Sequence, residues 1–300
     1  MKILLLGPNG QVGWELQRSL ASLGKVIAIG RQGGDGLAGD LSNPETLAGT
    51  VKTVSPDIIV NAAAYTAVDR AESEPEQTRL INAEGPARLA QEAKRTSAWL
   101  VHYSTDYVFN GTGSTPWQED DPTGPINVYG QTKLEGEEAI RQTGCHHLIF
   151  RTSWVYAAHG KNFIHTMLKL ASERENLNVI DDQIGAPTGA ELIADVTAHA
   201  IRSVHGNSNL AGIYHLAASG ETTWFDYARL IIGSGVRAGM NLKVSGEDIM
   251  PVPSERFPTP APRPRNSRLD CSRLEQAFGL KLPDWKKGVQ RVISEIALMR

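Results

Sequence analysis

"KILLLGPNGQVG", Lys2 to Gly13, opens the chain with a short continuous apolar run that ends in glycine. A run apolar at every position suits a strand buried on both faces, as in a parallel sheet. "QVGWELQRSLASLG" follows, with Val12, Leu16 and Leu20 at helical spacing and Gly24 as a stop. Gly7, Gly10 and Gly13 therefore sit between a strand and the mouth of a helix. Glycines there permit a tight turn, a close approach of backbone to a pyrophosphate, and tight helix–strand packing. The helix N-terminus adds free N–H groups and a positive dipole end. A structural turn in a non-binding α/β protein is the competing reading, and the strand-then-helix context weighs against it. No Gly-Lys-Ser/Thr follows, so this is not the ATP-type phosphate loop.

The same alternation continues outward. "KVIAIG", "DIIVNAAA", "AWLVHYST" and "HLIFRTS" read as strands, separated by helical stretches such as "TRLINAEGPARLAQEAKRT" and "GQTKLEGEEAIRQT". That pattern predicts an α/β fold, a doubly wound Rossmann-like parallel sheet, over residues 1–153. Elements around 175–182 and 191–216 are expected to rejoin it. Residues 154–174, 183–190 and 217–300 are expected to form a smaller C-terminal substrate-binding lobe. The stretch "PVPSERFPTPAPRPRNSRLD" is rich in proline and arginine, so it reads as a docked, extended loop.

Composition narrows the function classes. The chain of 300 residues is 41% hydrophobic and 21% charged, ordinary for a globular protein. The net charge of −3 argues against a nucleic-acid surface. Two cysteines, Cys145 and Cys271, make no disulfide framework and no metal spacing, and suit a reducing cytoplasm. The N-terminal apolar run is cut by Gly7 and Pro8 before the length of a signal segment, and no stretch approaches a membrane span.

At the end of the second strand, "VIAIGRQGG" places Arg31 where an NAD site usually carries an acidic residue. A guanidinium there would pair with a 2′-phosphate, which favours NADPH and leaves NADH open. A solvated surface arginine is the alternative. Ala62, Ala63 and Ala64 would let backbone run close beneath a cofactor, or simply pack. "NVYGQTK" puts Tyr129 and Lys133 at i, i+4 on one helix face. An ammonium beside a phenol would lower its pKa from about 10. In "YSTDYVF", Ser104, Thr105 and Asp106 fall at the carboxyl end of a strand, where ligands bind in an open α/β sheet. Chance spacing and turn formation compete with both readings.

The glycine spacing GxxGxxG resembles that of extended short-chain dehydrogenases/reductases. Together, "GPNGQVG", "NAAAYTAVDRAESEP", "YSTDYVFNG", "NVYGQTKLEGE", "RTSWVY", "DQIGAPT" and "RPRNSRLD" resemble, in order and along essentially the whole chain, the dTDP-4-dehydrorhamnose reductase family of that class. The resemblance implies NADPH-dependent reduction of a 4-keto nucleotide sugar in surface polysaccharide precursor synthesis. It casts Tyr129 as the acid, Lys133 as the residue that holds nicotinamide ribose and lowers the phenol's pKa, and Thr105 as the hydroxyl on the sugar carbonyl. Gly10, Gln11 and Val12 match the pyrophosphate loop. Asp40 and Leu41 match the adenine contact, and Ala63, Ala64, Tyr65 and Tyr103 line the cofactor. Asp106 and Trp154 match sugar contacts. Gln183, with Pro187 and Thr188, would shape the nucleotide pocket. Arg263 is the expected diphosphate ligand, with Arg265 and Arg268 as rivals. Asn82 resembles a helix asparagine that holds an ordered water, or is a polar core residue. Some relatives hold magnesium between subunits through glutamates; Glu191 matches one such position, which brings in a homodimer. Two other functions stay open: another nucleotide-sugar 4-reductase or epimerase, and a non-catalytic cofactor-binding regulatory subunit of the same fold.

Overall fold

In a computed structural model that describes residues 1–34, 36–204 and 206–299, the expected alternation is present. In chain order it runs β1 (Lys2–Leu6), α1 (Gln11–Leu20), β2 (Lys25–Ile29), α2 (Pro44–Val54), β3 (Ile58–Asn61), the short α3 (Val68–Ala71) and α4 (Pro75–Arg79), α5 (Gly85–Thr96), β4 (Trp99–Thr105), α6 (Val128–Thr143) and β5 (His147–Thr152). Then come β6 (Val155–Tyr156), α7 (Phe163–Glu173), β7 (Leu177–Ile180), β8 (Ile184–Gly185), β9 (Thr188–Gly189), α8 (Ala190–Val204), β10 (Gly212–His215), β11 (Thr222–Thr223), α9 (Trp224–Arg237), β12 (Ile249–Val252), α10 (Ser272–Phe278) and α11 (Trp285–Leu298).

The central sheet has six parallel strands in the order β2-β1-β3-β4-β5-β10. The order reverses between β1 and β3, so the crevice at the carboxyl ends of these strands is the natural ligand site. Alternate side chains of β1 feed opposite faces. Ile3 and Leu5 join Leu16, Leu20, Ile193 and Ile201 under α1 and α8. Leu4 and Leu6 join Leu47, Val51, Leu89 and Ile140 on the other face.

Three expectations need correction. Leu177–Ile180 does not rejoin the central sheet; it pairs in parallel with β12. Its alternate residues Leu177 and Val179 are buried while Asn178 is exposed. That half-buried pattern belongs to a two-stranded edge, whereas central parallel strands are buried on both faces. Residues 271–282, expected in the lobe, return to the sheet: Leu274, Phe278 and Leu282 pack in the core with Leu148 and Tyr214. The helical stretch 78–96 is interrupted by one π-helical turn, Leu80–Glu84. Pro86 lacks an N–H to continue a regular ladder, and a widened turn accommodates it. The lobe's own core is built from α7, α9 and α11, with Ile164, Leu168, Tyr227, Ile231, Trp285 and Val289 buried together.

The helix α6 is seated by polar contacts as well as packing. Asn127 caps it, accepting from the Gly130 N–H at 2.8 Å, and donates across to the Pro262 carbonyl at 2.8 Å. The Glu72 carboxylate takes the free Val128 N–H at 2.8 Å. One turn past Lys133, Glu137 meets Arg151 of β5 in a buried ion pair, with N–O distances of 2.6, 3.0 and 3.1 Å. Arg151 also donates to the Glu119 carbonyl at 3.2 Å and lies 5.1 Å from the Phe109 ring centroid. Removing one partner strands a charge in the core. Glu137→Ala is therefore expected to destabilise the protein by about 3–5 kcal/mol, read as a lowered urea midpoint. Replacing both partners with apolar residues of similar volume should cost less than the single change.

Candidate active site

The loop after β1 turns back at Gly7, whose φ of +77° is left-handed. A Cβ there would lie 2.8 Å from the Ala63 nitrogen, so the loop and the end of β3 meet backbone to backbone. Gly13 serves packing instead, since a Cβ on it would lie 2.0 Å from the Gly7 carbonyl oxygen. It lets α1 sit directly on the loop and does not itself line the cleft. Gly10 and Gln11 present the helix N-terminus to the crevice, and the Gln11 side chain accepts from Asn162 at 2.8 Å.

Above the switch point lies a cleft of about 740 Å³. The phosphate loop with Val12, then Arg31, Asp40, Leu41, Ala63 and Ala64, line one part of it. Tyr103, Thr105, Asp106, Tyr129, Lys133 and Trp154 line the other. Nearly all the residues singled out from the sequence thus meet in one place. Tyr65 is an exception: its hydroxyl donates to Glu74 at 2.5 Å, and it lies off the cleft. Asn82 is drawn into structure as well. Its amide spans the Tyr65 backbone, accepting from N–H at 2.9 Å and donating to C=O at 3.1 Å. It also donates to Thr132 of α6 at 3.3 Å. These contacts make it a clamp between loop and helix, in line with the polar core reading.

Arg31 Nε lies 3.2 Å from an Asp40 carboxylate oxygen, and Ser42 donates to the other oxygen from N–H at 3.0 Å and hydroxyl at 2.7 Å. Partial burial pushes Asp40 up, but the Ser42 hydrogen bonds and the Arg31 charge leave it below the usual carboxylate range. The Arg31 guanidinium is 70% exposed and free to turn toward a ligand.

At the chemical end, burial governs the charges. Lys133 is 1% exposed. It donates to the Tyr103 carbonyl at 2.6 Å and lies 3.2 Å from His102 Nε2. Burial brings it down to about 8, against the pull of Glu137. Tyr129 is pushed up to about 12 by burial and by the Asp106 charge, against its hydrogen bond with Thr105. The Lys133 side chain is turned to the β4 backbone, and desolvation governs the phenol. Thr105 donates to Asp106 Oδ1 at 3.0 Å and accepts from the Tyr107 N–H at 3.1 Å. Asp106 is raised to about 7 by burial, despite hydrogen bonds from Ser267 and Thr105, and its Oδ2 has no partner.

Trp154 holds a left-handed φ of 49°, a strained state for a residue with a side chain. It stacks on Trp224 at 3.6 Å between ring centroids. Trp224 in turn donates to Gln183 at 3.1 Å. Beyond this pair lies a second cleft of about 470 Å³, lined by Gln183, Arg263, Phe163, Phe257 and Thr259. Tyr107 and Trp224 line both clefts, and Tyr107 stands edge-on to Tyr129 at 5.6 Å. Neither residue stood out in the sequence: Trp224 opens a remote helix, and only its contact with Trp154 brings it to the site. Of the three C-terminal arginines, Arg263 faces the second cleft and pairs with Asp69 at 2.8 Å. Arg265 pairs with Glu255 and Asp182, and Arg268 with Asn266 and Glu221.

Glu191, at the start of α8, lies 4.0 Å from Arg291 and is raised mainly by burial. No group of three metal-ligating side chains comes together among the described residues. No helix among them is long and apolar enough to cross a membrane.

A doubly wound sheet with this loop, and with threonine, tyrosine and lysine at its carboxyl edge, defines a dinucleotide-dependent enzyme of the short-chain dehydrogenase/reductase class. The family model described as the RmlD substrate binding domain matches residues 1–298. The dTDP-4-dehydrorhamnose reductase of Escherichia coli (strain K12) is 56% identical over 99% of this chain and 98% of its own. That of Burkholderia thailandensis is 48% identical over 99% of each. Among solved structures, dTDP-4-dehydrorhamnose reductase from Clostridium acetobutylicum superposes with a TM-score of 0.87 at 35% identity, covering 99% of both chains. The Bacillus anthracis enzyme, in complex with NADP, gives 0.86 at 34% identity, covering 98% of this chain and 99% of its own. The chain belongs to the dTDP-4-dehydrorhamnose reductase family.

The Asp106 value carries a stability consequence. Its folded pKa lies above the unfolded one, so the folded state holds the extra proton between about pH 4 and 7. Stability should fall as pH rises through that window. Asp106→Asn should flatten the decline, measured as the urea midpoint against pH.

Proposed function

We propose that the protein reduces the 4-keto group of dTDP-4-dehydro-L-rhamnose to give dTDP-L-rhamnose, a precursor of surface polysaccharide, with NADPH as reductant. The observation that carries this reading is the junction of the two clefts. A dinucleotide-sized cleft ends on Thr105 and Tyr129, and there it adjoins a second cleft with aromatic walls and Arg263. A sugar at the junction would lie between the acid and the nucleotide-binding lobe. The full-length similarity to dTDP-4-dehydrorhamnose reductases supports the substrate, and the NADP complex of a relative supports the cofactor.

The donor set fits a dinucleotide. The α1 N-terminus with Gly10, Gln11 and Val12 would take the pyrophosphate, Leu41 and Asp40 the adenine end, and Lys133 the nicotinamide ribose. Arg31 would take a 2′-phosphate in exchange for Asp40. When bound, the reduced nicotinamide supplies the hydride. Tyr129 donates its proton to the ketone oxygen; a buried phenol at about 12 holds that proton through neutral pH. Thr105 now donates to Asp106. Protonation of Asp106, poised at about 7, would let the carboxyl donate instead and free the threonine proton for the ketone. Arg263 would bind the diphosphate, and Asp69 would give way to it. Trp154 and Trp224 wall the sugar, and Gln183 the nucleotide. A magnesium site, and the homodimer that would hold it, require a second copy of the chain to add ligands beside Glu191.

The purified protein should oxidise NADPH when given dTDP-4-dehydro-L-rhamnose, followed by absorbance. Net consumption separates reduction from epimerisation, which consumes none, and from a regulatory subunit, which does not turn over. A folded sample that leaves NADPH unchanged would sink the proposal. Tyr129→Phe should lower kcat by about 10²-fold or more with NADPH affinity retained. Arg31→Ala should weaken NADPH binding about tenfold while NADH binding stays level, measured by fluorescence titration of each cofactor.

A further inference from the structure

His102 on β4 is buried and lines neither cleft. It links Asn61 of β3 to Lys133 of α6. Asn61, His102 and Lys133 are each 1% exposed, so bulk solvent does not reach their polar atoms. The hydrogen bonds among them have a direction. The backbone N–H of Ala63 can only donate, and it donates to Asn61 Oδ1 at 3.2 Å. Asn61 therefore turns its NH₂ to His102 Nδ1, 3.1 Å away. That makes Nδ1 the acceptor of a neutral imidazole and leaves the proton on Nε2. Nε2 lies 3.2 Å from Lys133 Nζ. An ammonium offers donors alone, so the Nε2–H finds an acceptor only in the lone pair of an amine. The amine retains two N–H groups, and one donates to the Tyr103 carbonyl at 2.6 Å.

We infer that His102 is a positioning residue that favours the amine form of Lys133, because the Ala63–Asn61–His102 chain of hydrogen bonds arrives at the lysine as a donor. Reversing the chain so that Nε2 accepts would set the Asn61 NH₂ against the Ala63 N–H, donor against donor. The ammonium thus carries one misdirected contact wherever it is relieved. Burial works in the same direction and brings the lysine to about 8. The imidazole itself is held well below its ordinary value by burial and by Lys133, so it stays neutral. The charged groups that face Lys133 are few. Glu137, on its own helix, favours the ammonium, but Arg151 of β5 binds that carboxylate. From β4 it meets His102 and the Tyr103 carbonyl, and from β3 it meets Asn61 through His102 alone. Tyr129 and Asp106 share its cleft. In the reduction proposed above, on which this role rests, the lysine becomes a group that changes protonation near working pH rather than a permanent cation beside Tyr129.

Two measurements test the inference. In protein labelled with ¹⁵N-histidine at roughly pH 9, above the lysine's value, the His102 nitrogens should read as unprotonated Nδ1 and protonated Nε2. The resonance is assigned by its loss in His102→Gln or, if that chain does not fold, His102→Asn. A proton on Nδ1 at that pH overturns the inference. In His102→Gln the amide oxygen can accept from the ammonium, so the basic limb of the kcat–pH profile should move up by about one pH unit. A lowered kcat with an unmoved limb would mark His102 as merely structural and overturn the inference. Absence of turnover in the unaltered protein would instead remove the proposed reaction, and the histidine spectrum would still decide the tautomer.

Discussion

The buried Glu137–Arg151 pair holds the site in register. Tyr129 and Lys133 ride on α6, while Thr105 and the Tyr103 carbonyl belong to β4. These groups act together only if the helix keeps its height and rotation over the sheet. The bidentate pair, with side chains 1% and 3% exposed, fixes both, because any slip leaves charges desolvated and unpaired. The Asn127 cap, which also reaches Pro262, extends the same constraint to the lobe.

The lobe and the sheet meet through strained and aromatic residues. Trp154 adopts a left-handed backbone at the end of the sheet and stacks on Trp224 from the lobe. Gly185 makes room for this ring: a Cβ there would lie 2.7 Å from Trp154 Cε2. The strain is sustained by packing on both sides. Its result is a rigid partition in which Tyr107 and Trp224 belong to both clefts.

Desolvation is the common cause of the site's electrostatics. Tyr129, Lys133 and Asp106 all move toward their neutral forms. In the proposed reduction, a cleft that disfavours charge would hold the phenol's proton for a substrate oxygen. It also brings a lysine and an aspartic acid to within reach of neutral pH, where each can change hands with a proton. The same burial acts on Lys133 and on the phenol beside it.

The apolar run before Gly7, the glycine spacing and the alternation of strand and helix carry the doubly wound sheet, because each depends on neighbours a few residues apart. The i, i+4 pairing of Tyr129 and Lys133 and the strand-end placement of Thr105 are legible for the same reason. Contacts between distant segments are not. β7 leaves the central sheet because β12 is there to pair with it, and Leu274 and Phe278 return to the sheet's core across the whole lobe. Tyr65 lies off the cleft because Glu74 holds its hydroxyl. His102 reads as an ordinary strand residue until Asn61 and Lys133 close on it from two other elements. Local periodicity and backbone sterics act along the chain and can be read there. Burial, hydrogen-bond direction and the charge states that follow from them arise only when separate elements shut water out of a shared space.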